Sequence, residues 1–387
     1  LLLFSLNLFS QTKIDSLENQ LTIVNNKEKV DVLNELAEAY LETSSKKSIE
    51  YSNKALSLAK KGKNKKQEAI SLYNISIANY YKKNYKDALD YQKKSLKIRK
   101  EIDDKKGIAN SLKTIGIIHY RQYNYKKALE YLQNSLEKDK ELGNEIDMAN
   151  SLGYIGNIHL RLNKYDEALE FYLNSLKIRE KIGDNTLIAV SLNNIGSVYI
   201  YLNNYEKALE YYKKTLIIFE AIGDFSSISS VLSNIGDVYI KIKNYDKALE
   251  YTYRSVKIDE DLGNKEHYAI SINNIASIYS YQKEYKKALE YYFVALEIFD
   301  EFGMKWQFAN TSNNIGHIYF KLHNYDKSFK YLQQGLILAN ELNSKELIKN
   351  SYINFSKLYS AKENYQKSLE YYKLYAEVKD SIFTEES

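Results

Sequence analysis

Side chains able to grip a polar ligand recur in this sequence at a fixed interval of 40 residues. One series reads Asn74, Thr114, Tyr154, Asn194, Asn234, Asn274, Asn314 and Asn354, and beside it Asn193, Asn273 and Asn313 complete adjacent pairs. An asparagine amide donates and accepts as a peptide bond does, so a row of them could hold a peptide backbone without reading its side chains. The same row could instead bond to the neighbouring unit and fix only the stack, since a buried amide has to be satisfied. A second series reads Tyr81, Arg121, Arg161, Tyr201, Lys241, Tyr281 and Lys321, and it holds two of the chain's five arginines. The arginine fork suits a carboxylate or phosphate, and tyrosine offers a flat amphipathic contact. The alternative for this series is an ordinary solvated polar face.

Bond-making chemistry is poorly served. The chain has no cysteine, which removes thiolate nucleophiles, thiolate metal sites and disulfides. His119 and His159 fall in a series otherwise filled by Tyr199, Tyr239 and Tyr279 and read as packing substitutes; as metal ligands they have no evident carboxylate partner. His317 and His323 flank a helix end without a metalloprotease spacing, and His267 belongs to no motif. There is no nucleophile elbow, phosphate-cradling glycine loop or kinase signature. The expectation is a non-enzymatic chain with no catalytic residue, no cofactor and no metal. Trp306, near a repeat junction, reads as a core residue.

What must position the two polar series is helical. Tyr205 recurs as Tyr85, Tyr125, Tyr165, Tyr245, Tyr285, Tyr325 and Tyr365, and Ala208 as Ala88, Ala128, Ala168, Ala248 and Ala288. A fixed period in this range marks a stacked array rather than one globular core. Within a unit, Leu192, Ile195, Val198, Tyr199 and Leu202 share one stripe at steps of three and four, and Tyr205, Ala208, Leu209, Tyr212, Leu216 and Phe219 share another. The polar break Leu202–Tyr205 makes the pair an antiparallel hairpin. Gly143, Gly183, Gly223, Gly263 and Gly303, with Asp103 and Asn343 in the same series, mark left-handed helix ends. A second glycine series inside the first helix, Gly116, Gly156, Gly196, Gly236 and Gly316, predicts close helix contact.

Leu192-x-x-Ile195-Gly196-x-x-Tyr199 followed by Ala208-x-x-x-Tyr212 resembles the tetratricopeptide repeat signature, with leucine for its tryptophan. The longer period is similar to kinesin-light-chain-like repeats and to the repeat sensors of bacterial signalling proteins. Two departures stand out: there is no proline, and the period is 40 rather than about 34 residues, which places the extra residues in the second helix around 217–222. The resemblance implies an all-α, right-handed superhelical solenoid of antiparallel helix hairpins, about nine repeats long. It also implies a concave groove, lined by the first helices, that takes a protein or extended peptide. Carried onto this sequence, the partner-binding residues are Asn74, Asn193, Asn194, Asn234, Asn273, Asn274, Asn313, Asn314, Arg121, Arg161, Tyr201, Lys241 and Tyr281, with an acidic partner segment near the two arginines.

The formal charge of +5 comes from 55 basic and 50 acidic residues spread along the chain, without the concentrated basic face expected of a nucleic-acid binder. Residues 1–11 form an apolar run ending in a polar segment and read as the remnant of a secretory signal; the alternative is an apolar end packed on the first repeat. A lead-in helix is expected over 12–27, the solenoid over 28–383 with a degenerate first repeat whose inter-helix turn is one residue shorter, and a tail over 384–387. Tyr-rich endings with a run like Lys379-Asp-Ser-Ile-Phe383 resemble those of bacterial sensors, in which a membrane span and an output domain follow. The expected function is therefore a protein- or peptide-binding module, the exported sensory part of a bacterial signalling protein, periplasmic or anchored to the inner membrane through sequence beyond residue 387. The alternatives are a freestanding scaffold without signal relay and a cytoplasmic pheromone-type receptor on similar repeats.

Overall fold

The computed structural model describes residues 2–41 and 43–386, with side chains placed at 12–25, 28–41 and 43–382. The side chains of the apolar run at 1–11 and of the tail at 384–387 lie outside the described residues. Among the described residues there are 19 α-helices and no strand. The chain divides into two units, Leu1–Gly183 and Asp184–Ser387.

The first unit opens with α1 (Leu2–Ile23) and continues as four hairpins: α2 (Asn26–Ala39) with α3 (Ser45–Lys61), α4 (Lys65–Tyr81) with α5 (Tyr85–Glu101), α6 (Lys105–Arg121) with α7 (Tyr125–Leu142), and α8 (Glu145–Arg161) with α9 (Tyr165–Ile182). The second unit is five hairpins: α10 (Asn185–Tyr201) with α11 (Tyr205–Ile222), α12 (Phe225–Lys241) with α13 (Tyr245–Asp261), α14 (Lys265–Tyr281) with α15 (Tyr285–Glu301), α16 (Lys305–Lys321) with α17 (Tyr325–Glu341), and α18 (Lys345–Ala361) with α19 (Tyr365–Glu386). The nine hairpins are the nine expected repeats.

Every reversal is built the same way. From Lys63 to Glu363, one residue in each 20 has positive φ; five of the sixteen are glycine, Gly143 among them at +67°, and the rest include Asp103, Asn203, Lys243 and His323. The following residue closes a Schellman-type bond back to the helix: Asn204 N donates to Tyr199 O at 2.8 Å and Asn264 N to Asp259 O at 2.9 Å. In many of the hairpins that same residue then caps the next helix, as Asp184 does for Leu187 N (3.0 Å) and Asn204 for Lys207 N (3.2 Å), whereas Asn84, Lys164, Glu284 and Met304 make no such side-chain bond. A left-handed residue followed by an Asn or Asp cap thus does the work that proline does elsewhere in such folds.

Two expectations are corrected. α10 and α11 have 17 and 18 residues, so the extra length is shared by both helices rather than confined to 217–222; equal helices keep both ends of the hairpin flush. In the first repeat α2 ends at Ala39 and α3 begins at Ser45, so the helices are set further apart in sequence than elsewhere, not closer. Removing one residue from a helix rotates the chain beyond it by about 100°, and unwinding the last turn of α2 absorbs that rotation.

The second glycine series does what its spacing predicts. A Cβ on Gly156 would lie 2.8 Å from Tyr172, one on Gly196 2.8 Å from Tyr212, and one on Gly316 2.7 Å from Leu332. Glycine lets each hairpin close tightly on the large side chain opposite. Where serine replaces it, the hydroxyl uses the closeness: Ser76 donates to Ala88 O at 2.7 Å. Hairpins then stack through the same residues. Ala128 and Leu132 of α7 pack on Ile155 and Ile158 of α8, and Ala288 and Tyr292 of α15 on Ile315 and Ile318 of α16. At the first end, Ile14 and Leu17 of α1 cover Leu36 and Tyr40. In α19 the matching Leu369 and Tyr372 are 55% and 51% exposed.

Replacing Gly196 with valine is expected to cost about 1–3 kcal/mol through overpacking against Tyr212. Gly196→Ala should be milder, because Ala276 already stands with Tyr292 in one hairpin core. Urea unfolding followed by circular dichroism orders the variants; a valine variant as stable as the parent would remove this account of the glycine series.

Candidate functional site

Consecutive first helices touch one another, α2 with α4, α6 with α8, α12 with α14, α14 with α16 and α16 with α18. In these pairs the first helices lie side by side, and the asparagine and arginine–tyrosine series are carried on the first helices.

The asparagines divide by what their amides already hold. Asn74 is 4% exposed and donates to the Asn34 carbonyl of the preceding repeat at 3.1 Å. Asn193 accepts from Asn234 at 3.1 Å, Asn273 from Thr311 at 2.8 Å, and Asn313, 2% exposed, from Ser351 at 3.0 Å. These amides tie one first helix to the next. Asn194, Asn274, Asn314 and Asn354 are half-buried, at the edge of the stack rather than inside it. The division does not follow the two series: Asn74 and Asn234, which bond to the preceding first helix, belong to the same 40-residue series as Asn194, Asn274, Asn314 and Asn354.

In the first unit, Arg121 is exposed, donates through Nε to the Tyr80 hydroxyl at 2.9 Å and lies over the Tyr120 ring at 5.8 Å. Arg161 is exposed and acts electrostatically on Tyr125 and Tyr172. In the second unit, Tyr201, Lys241 and Tyr281 are exposed, and Tyr281 stacks on Tyr245 with centroids 6.1 Å apart.

The structure gathers part of the second unit's series into a cleft of about 360 Å³ between α14, α16 and α18, a size at the lower end of ligand sites. Its lining includes Tyr281, Asn313 and Asn314 from the predicted series. It adds Ser277, Asn310, His317, Asn350 and Asn354, which were not singled out as site residues. Asn310 and Asn350 belong to a 40-residue series with Asn110 and Asn150, so the signal was available. A hydrogen bond joins Asn314 to the Tyr292 hydroxyl and another joins Asn354 to His317. Burial, with Lys321 and Lys357 nearby, pulls the His317 pKa below its ordinary value and favours the neutral ring.

Asp237, in the Ser197 series, is a groove carboxylate that sequence reasoning missed. It keeps solvent contact, yet the surrounding protein withdraws enough water to push its pKa up to about 6, against the opposing pull of Lys241. In neighbouring hairpins the residue at this point is met by a tyrosine hydroxyl: Ser197 by Tyr212 at 3.0 Å and Ser277 by Tyr292 at 2.9 Å. The hairpin of Asp237 has Thr252 there, whose hydroxyl donates to Ala248 O at 2.8 Å.

The histidines of the first unit are packing residues. His119 stacks on Tyr131 and His159 on Phe171 with centroids 5.7 and 5.1 Å apart. Tyr199 on Tyr211 and Tyr239 on Tyr251 use the same geometry at 5.5 Å, with Lys207 and Lys247 over Tyr199 and Tyr239. Trp306 is 45% exposed in the first turn of α16, which corrects its assignment to the core. Among the described residues no group of three or more His, Asp or Glu could hold a metal ion, and no helix is long and apolar enough to cross a membrane.

Fold and inner face together define an array of 40-residue helix hairpins that presents polar side chains from its first helices. The sequence matches the tetratricopeptide repeat family over residues 29–101, 81–141, 147–221, 227–301 and 307–381; the chain belongs to that family. No curated protein matches it. Among solved structures it is similar to the apo form of the quorum sensor NprR from B. thuringiensis, at 19% identity and a TM-score of 0.64 over 84% of this chain and 91% of that one. It is also similar to the apo form of RapI, at 20% identity and 0.60, over 71% of this chain and 99% of that one. A third likeness is to a signal transduction ATPase with numerous domains and a tetratricopeptide repeat sensor from Pyrococcus horikoshii, at 18% identity and 0.67. That match covers 94% of this chain and 55% of the ATPase. At these identities the likeness is one of fold.

Two outcomes test the electrostatics. The pKa values of His119 and His159 are lowered by burial, and no described residue hydrogen-bonds either Nδ1. Their contribution is complete above the unfolded value near 6.5 and is lost as pH falls through the depressed folded values. The His119→Tyr, His159→Tyr variant should lose less thermal stability than the parent between about pH 7 and 5; equal losses would show that these rings do not govern acid sensitivity. Asp237 has the opposite sign: its raised pKa opposes folding above the unfolded value and fully so above about 6. Asp237→Asn should raise the melting temperature at pH 7 by roughly 1–3 °C after allowance for solvent screening, with the gain gone near pH 4.

Proposed function

We propose that this chain is a non-catalytic peptide- or protein-binding module whose inner face takes an extended partner segment. The observation that carries the reading is the row of half-buried amides Asn194, Asn274, Asn314 and Asn354, repeated on first helices of the second unit. Spaced amides of this kind match the alternating donors and acceptors of an extended backbone. Arg121 and Arg161 provide a separate place in the first unit for an acidic stretch of partner, Arg121 with its side chain steadied by Tyr80. The similar structures support the same reading: one is a quorum sensor, one is a repeat sensor of a signalling ATPase, and another is a Rap protein complexed with Competence and Sporulation Factor.

On this reading the chain senses its partner as part of a bacterial signalling protein. The apolar run Leu1–Phe9, followed by Ser10-Gln-Thr-Lys13, supports export to the periplasm or anchoring to the inner membrane, with membrane attachment through sequence beyond residue 387.

The test is retention of a synthetic library of random 12-residue peptides on the immobilised chain. The variant Asn274→Ala, Asn314→Ala, Asn354→Ala should weaken retention by about 10–100-fold, since each lost hydrogen bond is worth roughly 0.5–1.5 kcal/mol. Arg121→Glu with Arg161→Glu should deplete acidic peptides selectively. Peptide retention unaltered by both sets, with the parent's circular dichroism kept, would remove the inner face as the binding surface.

A further inference from the structure

The cleft between α14, α16 and α18 has an unusual lining. More than a quarter of the chain's residues, 27%, are charged, yet none of the 12 residues lining the cleft is Asp, Glu, Lys or Arg. Its walls offer amides from Asn310, Asn314, Asn350 and Asn354, and the flat faces of Tyr281 and Tyr285. Each amide can donate and accept.

Asn313, among the cleft residues, sharpens the pattern. It is 2% exposed and its Oδ1 accepts from Ser351 at 3.0 Å, while its Nδ2 has no hydrogen-bond partner among the described residues. A buried donor left unmet is costly, so the polarity of this wall is not fully met from within the protein. His317 stands nearby as a neutral ring. No cation or anion lines the cleft, and Lys321 and Lys357 act on His317 only as neighbouring charges; an ion entering would give up hydration with no counter-charge in the lining to replace it. A carboxamide or hydroxyl would exchange water for amides at little cost.

We infer that this cleft is a selectivity pocket that takes an uncharged residue of the bound segment, one bearing a carboxamide by preference, and turns away acidic and basic residues. The inference rests on the peptide-binding reading of the inner face and adds to it what one part of that face selects.

The experiment sequences the peptides retained from the random 12-residue library by the full chain and by Asn314→Asp, a variant of nearly equal shape. The parent's peptides should share one position rich in Asn, Gln, Ser or Thr, with Asp, Glu, Lys and Arg depleted at least about tenfold. Asn314→Asp should turn that same position toward Lys and Arg by about tenfold, a gain that misfolding cannot produce; Asn354→Asp serves as the second variant if the first fails to fold. Retained peptides that carry charged residues at every position, or an unchanged preference in both aspartate variants, would overturn the pocket while leaving the binding face standing. A library from which neither the parent nor any variant retains peptide would overturn both readings.

Discussion

Everything in this fold depends on reversing the chain every 20 residues at the same point of the helix. From Lys63 to Glu363 each reversal uses one residue with positive φ, and the sixteen left-handed residues keep step without a slip. A missed step would rotate the next helix and carry its apolar stripe off the neighbour. Most of these residues are not glycine, and a left-handed non-glycine residue costs roughly 1 kcal/mol. The cost is offset by the closing bond to the preceding helix and by the Asn or Asp cap that opens the next. The conformation is held by its surroundings, so residues as unlike as Lys243, His323 and Glu363 can occupy it.

Equal helices and uniform turns bring equivalent positions of successive repeats side by side, and the character of each face is set by that alignment. On the packed side, glycine meets tyrosine or leucine and the hairpin closes. On the inner face the first helices stand close enough for an amide on one to reach the next, as Asn234 reaches Asn193. Both asparagine positions take part in this cohesion, Asn74 and Asn234 from one series and Asn193, Asn273 and Asn313 from the other.

How much of this could be read from sequence depends on which physical quantity the sequence encodes directly. The apolar period of 40, the glycines opposite Tyr172 and Tyr212, and the helix ends at Gly143 or Gly263 are local demands that few residue types meet, so they leave a signature. The left-handed position inside the hairpin leaves none, because Lys83, Tyr123 and Lys283 carry no turn preference. The division of the asparagines into pinning and rim groups was also hidden, since it depends on where the adjacent first helix sits rather than on any spacing. His317 looked like a residue at a helix end because its partner Asn354 is a full repeat away. Trp306 was placed in the core from its position near a repeat junction, whereas the first turn of α16 holds it half in water.

The exposure of Trp306 has a practical side. The chain contains a single tryptophan among 38 tyrosines, and it stands on the helix that carries Asn310, Asn313, Asn314 and His317. A half-exposed indole emits at a wavelength set by the water around it, and neighbouring phenols pass it their excitation. The protein thus carries its own optical probe on a helix that contributes to the cleft, readable without a dye or an engineered label.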